Sequence, residues 1–363
     1  MKVLLAAPFG GVAGGISRWT GHIMNYYSSL QDKSCELILL PMGRSSFVNI
    51  NSGLAYRIKT AFVDYKEILS AFNTMLREND FDVMHLTSSA SISLLKDIYM
   101  IRQCRRRDIR SVVHFRFGRI PELSKRKNWE WKLLNKVVKM ADKVIVLDKS
   151  SYDVLASCGY TNITMLPNPI APEVLDIVCA NEDIQREKNT ILFTGHVVKT
   201  KGVYELVDAC SEIEGIRLKF VGHVLDDVKE KLQNRAKCEL DVCGEMPYEE
   251  VIKEMMRCDV FALPTYTEGF PNVILESMAA GCAIVTTDVG AIPQMLEPEG
   301  EKQYGIIIKP ENVGLLKDAL VKMLGDEQLK RECRENVRKR VVERYSIASV
   351  WEQMVQIWNE KNN

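Results

Sequence analysis

This chain has no net formal charge at neutral pH, and it lacks the patterns that mark several protein classes. Its 48 Lys and Arg residues balance 48 Asp and Glu residues, so no global field attracts a nucleic acid or another highly charged partner. No apolar run approaches the roughly 18 residues that a membrane-spanning helix needs. There is no internal repeat of solenoid length, no low-complexity tract, and no Asp-x-Asp pair in a loop suited to metal binding. Repeat proteins, membrane-spanning proteins and nucleic-acid binding by bulk charge are therefore excluded.

The cysteines also lack the spacing of a metal site. None of the 10 stands in a C-x2-C pair, and several, such as Cys258 and Cys282, lie in apolar runs, where free thiols pack as small hydrophobes. We therefore expect a reducing cytoplasm. The uncharged residues after Lys2 resemble a signal peptide, but Pro8 and the glycines from Gly10 onward break its apolar helix. A strand followed by a glycine loop fits this start better.

The length of 363 residues predicts about two domains. Apolar runs alternate with amphipathic stretches in both halves, which is typical of parallel sheets with crossover helices. We predict an α/β fold of two Rossmann-like, doubly wound domains that face a central cleft, where function is expected. The first comprises residues 1–168 with a C-terminal helix at 346–363, and the second comprises residues 169–345.

Short apolar runs predict the strands. Those of the first half are Lys2–Pro8, Glu36–Met42, Phe81–Thr87, Ser111–Phe115, Lys143–Leu147 and Ile163–Pro167. Those of the second half are Thr190–Thr194, Arg217–Val221, Glu239–Val242, Val260–Leu263, Ala283–Thr286 and Gly305–Ile308. The clearest predicted helices are Ile16–Leu30, Tyr65–Arg77, Ile92–Arg106, Trp129–Met140 and Val350–Glu360. No strand follows the last of these, so we expect it to pack on the first domain.

Two glutamates eight positions apart are the most informative feature of the sequence. Glu268 follows a predicted strand, and Glu276 lies about one and a half turns into the helix that begins after Pro271. Such a strand-to-helix loop opens at the carboxyl edge of a doubly wound sheet, where ligands bind. The free backbone amides at the start of the helix favour an anion. Each glutamate alone also fits a solvated surface position, but their pairing around this turn favours a binding site.

Two other loops carry glycine or lysine between a strand and a helix. The segment from Gly10 to Gly15 permits close approach of a ligand, although a plain tight turn is an alternative. It is not G-x-G-x-x-G, and no acidic residue ends the second strand, which disfavours a nicotinamide site. In the second domain, Lys201 stands at a helix start, where a cation opposes the helix dipole and so indicates a nearby anion.

The stretch Lys96–Lys143 is basic, with fifteen Lys and Arg against five Asp and Glu. Trp129 and Trp131 lie within it and give it interfacial character. One interpretation is a solvated face with some cleft arginines. The other is a surface that docks on an anionic leaflet, at about 1 kcal/mol for each basic residue near the membrane.

The motifs together resemble one family. The spacing of Gly195, Lys201 and Gly202, the glutamate pair, Gly281–Val285 and Asp288-Val289-Gly290 resembles the family 4 retaining glycosyltransferases of the GT-B fold. Other landmarks of similar kind are Gly14-Gly15, Ala141–Val146 and Pro167-Asn168-Pro169. The similarity covers nearly the whole chain.

The resemblance implies that the second domain binds a nucleotide-sugar. Glu276 would bind the ribose hydroxyls, and Glu268 would contact the donor sugar. Lys201 and the backbone amides of Phe270, Asn272 and Val273 would hold the diphosphate. The segment Val242–Met246 would border the nucleobase. The remaining donor-binding positions that the resemblance implies are Gly14, Gly15, His196, Gly269 and Pro271.

The resemblance also implies a catalytic set of His114, Lys201 and Glu268. His114 ends a predicted strand and would lie beside the sugar, with Arg116 nearby, although a lone histidine is also common in a structural position. The chain departs from the family at two places. His196 stands where the family usually has arginine, and Gln294 stands where glutamate is common.

The expected activity is transfer of a sugar, with retained anomeric configuration, from a nucleotide-diphosphate sugar to a hydroxyl of a glycan or lipid-linked acceptor. The resemblance favours a UDP-sugar over a GDP-sugar, surface polysaccharide or lipopolysaccharide biosynthesis, and no cofactor or metal. We expect a cytoplasmic protein, peripheral on the inner leaflet if the basic stretch docks there. Alternatives are a sugar-nucleotide epimerase or phosphorylase of the same fold, a non-catalytic sugar-nucleotide-binding subunit and, least favoured, a dinucleotide oxidoreductase.

Overall fold

The computed structural model describes residues 1–10, 15–43, 54–296, 300 and 302–360, with the backbone but not the side chains of 54–63. The chain forms two compact units. The first unit is Met1–Pro167 with Val350–Asn363, and the second unit is Asn168–Ser349. Each unit is built on its own parallel sheet of six strands, which confirms the predicted pair of Rossmann-like folds.

The strands of the first unit occur where the apolar runs predict them. They are β1 (Lys2–Ala7), β2 (Glu36–Pro41), β3 (Val83–Ser88), β4 (Arg110–Phe115), β5 (Lys143–Val146) and β6 (Ile163–Met165). Their order in the sheet is β2-β1-β3-β4-β5-β6. Residues Val3–Ala7 of β1 are fully buried, as expected of a central strand covered on both faces by helices.

The helices of the first unit lie between these strands. They are α1 (Gly15–Ser29), α2 (Leu54–Glu78), α3 (Ser93–Arg105), α4 (Ile120–Arg126), α5 (Trp129–Met140) and α6 (Lys149–Ser157). The Asn128 side chain accepts a hydrogen bond from the Trp131 amide and so caps α5, and Asp148 caps α6 in the same way. Helix α2 begins before the predicted Tyr65.

The second unit repeats the pattern. Its strands are β7 (Glu187–Thr194), β8 (Arg217–Val221), β9 (Glu239–Gly244), β10 (Cys258–Leu263), β11 (Ala283–Thr287) and β12 (Ile306–Ile308). Its helices are α7 (Pro172–Ala180), α8 (Val203–Cys210), α9 (Asp226–Arg235), α10 (Tyr248–Arg257), α11 (Asn272–Ala279), α12 (Ile292–Leu296), α13 (Val313–Gly325) and α14 (Glu327–Tyr345). The sheet order is β12-β11-β10-β7-β8-β9.

The last helix, α15 (Ile347–Asn359), begins in the second unit and continues into the first at Val350. Its Trp358 is buried, and the Trp358 indole donates to His85 of β3 at 3.0 Å. Arg110 and Lys143, on neighbouring strands, both pair with Glu360 just after the helix. Trp358 and Glu360 are thus held against the sheet of the first unit. Among the described residues, we find no helix with the length and apolar content needed to cross a membrane.

Candidate functional site

The strand order of the second unit reverses beside β7. The chain passes from β7 to β8 and β9 on one side, and then returns to place β10 on the other side of β7. Ligands of open α/β sheets bind outside the carboxyl ends of the strands at such a reversal. The loop after β7 carries Lys201, and the loop after β10 carries Glu268. The topology therefore brings two predicted site residues to one edge.

Lys201 and Glu268 form an ion pair between their Nζ and Oε1 atoms. Lys201 ends a short 3₁₀ turn, Lys199–Lys201, that precedes α8. Its side chain is 28% exposed and that of Glu268 is 12% exposed, so the cation faces outward more than its partner. The Tyr266 amide donates to the Thr200 carbonyl at 2.9 Å and joins the two loops. The structure thus holds a lysine charge beside a carboxylate at the reversal point.

Two glycines allow these loops to pack backbone against backbone. Gly202 has φ +71°, and a Cβ there would lie 2.0 Å from the Pro264 carbonyl oxygen. Gly290 has φ +56°, and a Cβ there would lie 2.5 Å from the Glu268 carbonyl oxygen. Any larger residue would clash with main chain and would also adopt an unfavourable φ. The positions of Lys201 and Glu268 therefore depend on these glycines.

Helix α11 begins at Asn272, with Pro271 as its N-terminal cap residue. The Ile274 amide donates to the Pro271 carbonyl at 3.0 Å, whereas the preceding amides of Asn272 and Val273 have no acceptor within the helix and form an anion-binding end. Phe270, just before it, packs edge-on against Tyr345, with ring centroids 6.1 Å apart. The Asn168 side-chain amide donates to the Asn272 Oδ1 atom at 3.0 Å. Asn168 is the central residue of the Pro-Asn-Pro motif, and the structure gives it the role of holding the start of α11.

Glu276 lies on α11 one turn after Asn272 and is partly exposed. Its Oε1 atom accepts a hydrogen bond from the Tyr248 hydroxyl at 2.8 Å. Tyr248 begins α10 and is 41% exposed. Sequence reasoning missed Tyr248, because nothing in its spacing connects it with Glu276. Gly269 lies in the same loop as Glu268, and the Ala291 amide donates to the Gly269 carbonyl at 2.9 Å.

The other predicted donor-binding residues lie at the carboxyl ends of β7 and β9. His196 follows β7, is exposed, and has its ring 6.1 Å from that of His223, which follows β8. Gly222 has φ +134°, and a Cβ there would lie 2.1 Å from the Gly195 carbonyl oxygen. Val242 lies in β9 and Met246 in the loop after it, and both are half-buried. These residues therefore share the carboxyl edge of the sheet with Lys201.

The remaining predicted site residues, Gly14, Gly15 and His114, belong to the first unit. Gly15 begins α1, whereas Gly14 lies outside the described residues. His114 is fully buried at the end of β4, and its Nδ1 atom lies 3.2 Å from Nε2 of His85 on β3. Sequence reasoning missed His85, although its position within the run Phe81–Thr87 identifies it as a buried polar residue in a strand. Within the described residues, no three His, Cys, Asp or Glu side chains form a cluster that could hold a metal ion.

Two family models match consecutive parts of the chain. The model described as Glycosyltransferase Family 4 matches residues 53–174, and the model described as Glycosyl transferases group 1 matches residues 179–340. The chain belongs to glycosyltransferase family 4. This membership agrees with the resemblance carried by Lys201, Glu268 and Glu276.

Known relatives of this family 4 glycosyltransferase are distant. The capsular polysaccharide biosynthesis glycosyltransferase CapM of Staphylococcus aureus is 26% identical over 179 residues, which are 46% of this chain and 45% of CapM. An N-acetylgalactosamine-N,N'-diacetylbacillosaminyl-diphospho-undecaprenol 4-alpha-N-acetylgalactosaminyltransferase of Campylobacter jejuni is 30% identical over 168 residues, 44% of each chain. The chain thus spans about half the length of the curated relatives it matches.

A solved structure supports the fold over the whole chain. HepE of Anabaena, in complex with UDP, superposes with a TM-score of 0.70 at 15% identity and covers 98% of this chain and 99% of HepE. The two-unit fold of this family 4 glycosyltransferase is therefore the GT-B fold that the sequence predicts.

Proposed function

We propose that this family 4 glycosyltransferase transfers a sugar from a nucleoside-diphosphate sugar to a hydroxyl of a glycan or lipid-linked acceptor, with retained anomeric configuration, in surface polysaccharide assembly. One observation supports the proposal above others. Lys201 and the first turn of α11 converge at the strand-order reversal of the second unit, with Glu276 one turn further along the helix. A cation, free amides and a carboxylate in this order fit a diphosphate followed by a ribose.

The chemistry follows from the charge that develops on the leaving group. As the bond from the anomeric carbon to the phosphate oxygen breaks, Lys201 and the amides of α11 stabilise the growing negative charge. The acceptor oxygen bonds to the anomeric carbon on the same face, and its proton passes to the departing phosphate oxygen. Glu268 is paired with Lys201 and Glu276 accepts from Tyr248, so we assign neither as a covalent nucleophile. A lysine and a helix start neutralise the phosphate in this scheme without a metal ion.

The known relatives support the substrate classes. The Campylobacter jejuni relative is named for a diphospho-undecaprenol acceptor, and CapM is named for capsular polysaccharide biosynthesis. The HepE structure contains UDP. We therefore propose a UDP-sugar donor in preference to a GDP-sugar, and a lipid-linked or glycan acceptor.

Glu276→Gln is expected to weaken donor binding by about 10-fold to 100-fold, because a hydrogen bond to a charged group contributes about 1.5–3 kcal/mol. The measurement is thermal stabilisation of the intact protein by UDP-, GDP- and ADP-sugars, since a ligand at 100 times its Kd stabilises by about 2.7 kcal/mol. Glu249→Gln, on the exposed start of α10, is the matched control and should bind like the wild type. Equal stabilisation of the wild type and the Glu276 variant would contradict the ribose assignment.

Turnover measured with the donor identified by thermal stabilisation distinguishes the proposed glycosyltransferase from an epimerase or a non-catalytic subunit. A glycosyltransferase releases nucleoside diphosphate only when acceptor is added, and the anomeric proton of its product keeps the donor configuration. An epimerase would convert the donor without acceptor, and a non-catalytic subunit would bind without turnover. Activity that survives a chelator supports the metal-free scheme, and complete loss would argue against it.

We also propose that the first unit docks on the anionic inner leaflet of the cytoplasmic membrane. The exposed face of α5 carries Trp129, which is 53% exposed, followed by Lys132, Lys136 and Lys139 at helical spacing. The Ser91 amide donates to Glu130 at 2.9 Å, which brings the start of α3 close to this face. Near that start, Ile92 and Leu95 are 45% and 56% exposed.

The predicted basic stretch needs correction at three of its positions. Lys96 is buried and paired with Asp97, while Arg110 and Lys143 pair with Glu360. These cations face the interior or the C-terminal helix, because each has a carboxylate partner inside the unit. The proposed surface is therefore the exposed face of α5, rather than the whole stretch Lys96–Lys143.

Replacing Lys132, Lys136 and Lys139 by glutamine is expected to weaken binding to phosphatidylserine vesicles by roughly 100-fold, at about 1 kcal/mol per lysine. Sedimentation with vesicles measures the bound fraction. The control exchanges three exposed lysines of the second unit, Lys231, Lys237 and Lys309. Wild-type protein that remains in the supernatant, or an equal loss in both triple variants, would rule out this surface.

A further inference from the structure

Among the described residues, no carboxylate forms an ion pair with Arg116 of the first unit. Arg116 directly follows β4, and its backbone amide donates to the Ser88 carbonyl at 2.9 Å. The guanidinium lies over the Trp19 ring, 4.4 Å from the centroid. Burial lowers the pKa of Arg116 to about 9, and no neighbouring carboxylate among the described residues offsets this shift. Arg116 is half-buried and its Nε atom is fully buried, and a cation desolvated in this way is costly unless an anion pairs with it.

The tautomer of His114, the side chain next to Arg116, is fixed by a line of buried hydrogen bonds. The Trp358 indole can only donate, so Nδ1 of His85 must be the acceptor at 3.0 Å. Burial lowers the pKa of His85 to about 3 and that of His114 well below its ordinary value, so both rings are neutral at pH 7. The proton of His85 must then sit on Nε2, where it donates to Nδ1 of His114 at 3.2 Å. His114 is left with its proton on Nε2.

The proton on Nε2 of His114 points toward another donor, the guanidinium of Arg116. Nη1 of Arg116 lies 3.3 Å from Nε2 of His114, and neither group can accept when His114 holds its proton there. Within the described residues, the Nε atom of Arg116 and the indole Nε1 atom of Trp19 are also buried without a partner. The Trp19 ring lies 5.5 Å from that of His114, so the buried donors of Arg116, His114 and Trp19 belong to neighbouring side chains. Buried donors in native proteins almost always have an acceptor from the protein, from ordered water or from a ligand, so such a cluster favours binding of an anion that can accept from several donors.

We propose that Arg116 and His114 form a phosphate-binding site at the carboxyl end of β4 in the first unit. The planar guanidinium of Arg116 donates hydrogen bonds to two phosphate oxygens, and one of these oxygens also accepts from Nε2–H of His114. Trp358 and His85 are positioning residues, because they place the His114 proton and touch no ligand. The ligand is a phosphate group on the acceptor. This assignment rests on the proposed function, which gives the donor diphosphate to the second unit, whereas the site itself does not.

The test uses intact protein labelled with ¹⁵N at histidine and tryptophan side chains, with inorganic phosphate as the probe. The chain has 5 His and 5 Trp, so the ring signals can be assigned by single substitutions. In the free protein, His85 and His114 should both show the Nε2–H form. Phosphate should shift the His114 and Trp19 ring signals in a saturable way. A wild-type protein without a saturable shift at His114 would overturn the proposal.

Variants decide whether Arg116 carries the binding. Arg116→Gln should raise the Kd for phosphate at His114 at least tenfold, and Arg116→Lys should retain part of the affinity through its point charge. Arg119→Gln is the matched control, because Arg119 is 48% exposed and already pairs with Glu130. The unchanged dispersion of the tryptophan signals checks folding. Equal affinity in the wild type and both Arg116 variants would overturn the assignment.

Trp358→Phe tests the positioning role. Among the described residues, Trp358 is the obligate donor to Nδ1 of His85, and without it both tautomers of His85 and His114 become populated. The ring spectra should show this mixture, and phosphate affinity should fall severalfold while the fold is kept. A pure Nε2–H form of His114 in this variant would refute the hydrogen-bonded line.

Addition of UDP identifies the source of the phosphate. If phosphate still shifts the His114 signal in a saturable way when UDP is bound, the site takes a phosphate of the acceptor. If UDP alone saturates the His114 shift and displaces phosphate, the acceptor assignment is overturned. Acetate in place of phosphate should produce no comparable shift, and an equal effect of acetate would overturn the phosphate assignment.

Discussion

Lys201→Ala is expected to lower kcat by about 10²–10³-fold, the usual effect of removing one group that stabilises charge on a leaving oxygen. Lys201 ends the 3₁₀ turn after β7 and pairs with Glu268 across the strand-order reversal. Its side chain is 28% exposed, so a phosphate can reach it while the pair persists. Steady-state turnover with saturating donor and acceptor measures the effect.

Lys199→Ala is the matched control for Lys201. Lys199 begins the same 3₁₀ turn and is exposed, but no ion pair joins it to another described residue. The two variants should have similar thermal stability, since a partly exposed ion pair contributes little to folding. Only the Lys201 variant should lose turnover. A common loss in both would indicate general electrostatic attraction, and unchanged turnover of Lys201→Ala would remove its assigned role.

The positions of the strands could be predicted from the sequence, because they depend on local patterns of residues. Short apolar runs bounded by Gly, Pro and charged residues coincide with all of β1 to β12, with differences of a few residues at the ends. The start of α2 was placed too late. The loop between β7 and the next helix was also predicted, and the structure adds that its Gly202 adopts a positive φ beside the Pro264 carbonyl.

The sequence alone did not show which residues on neighbouring strands and helices would pair. Lys201 and Glu268 are 67 residues apart and meet because β7 and β10 are neighbours, which periodicity does not specify. The hydrogen bond from Trp358 to His85 spans 273 residues and depends on how α15 packs. Sequence reasoning therefore identified Lys201, Glu268 and Glu276 as candidates, and strand order was needed to show which of them pair.

Asp259→Ala is expected to destabilise the second unit by about 3–5 kcal/mol, the usual effect of leaving a buried charge without its partner. Asp259 lies in β10, and its carboxylate accepts from Lys330 at 3.1 Å and from Arg334 at 2.9 Å, both on α14. The Lys330 side chain is only 2% exposed. In the variant, the ion pair that Lys330 would retain among the described residues is with Glu327, whose side chain is 71% exposed. Urea unfolding, followed by hydrogen exchange in peptides of the second unit, measures the loss.

Lys330→Met distinguishes the stability that the ion pair contributes from the stability lost when a buried charge has no partner. Methionine fills a similar volume without a charge, and Asp259 keeps Arg334 and the Asn189 amide, which donates to it at 3.0 Å. We expect a change within about 1 kcal/mol, because Asp259 keeps a cationic partner and an amide donor, so the substitution leaves no buried charge unpaired. Equal destabilisation by both substitutions would mean that the pair itself stabilises the unit. Donor binding should persist in Lys330→Met, since β10 still delivers Glu268 to the site.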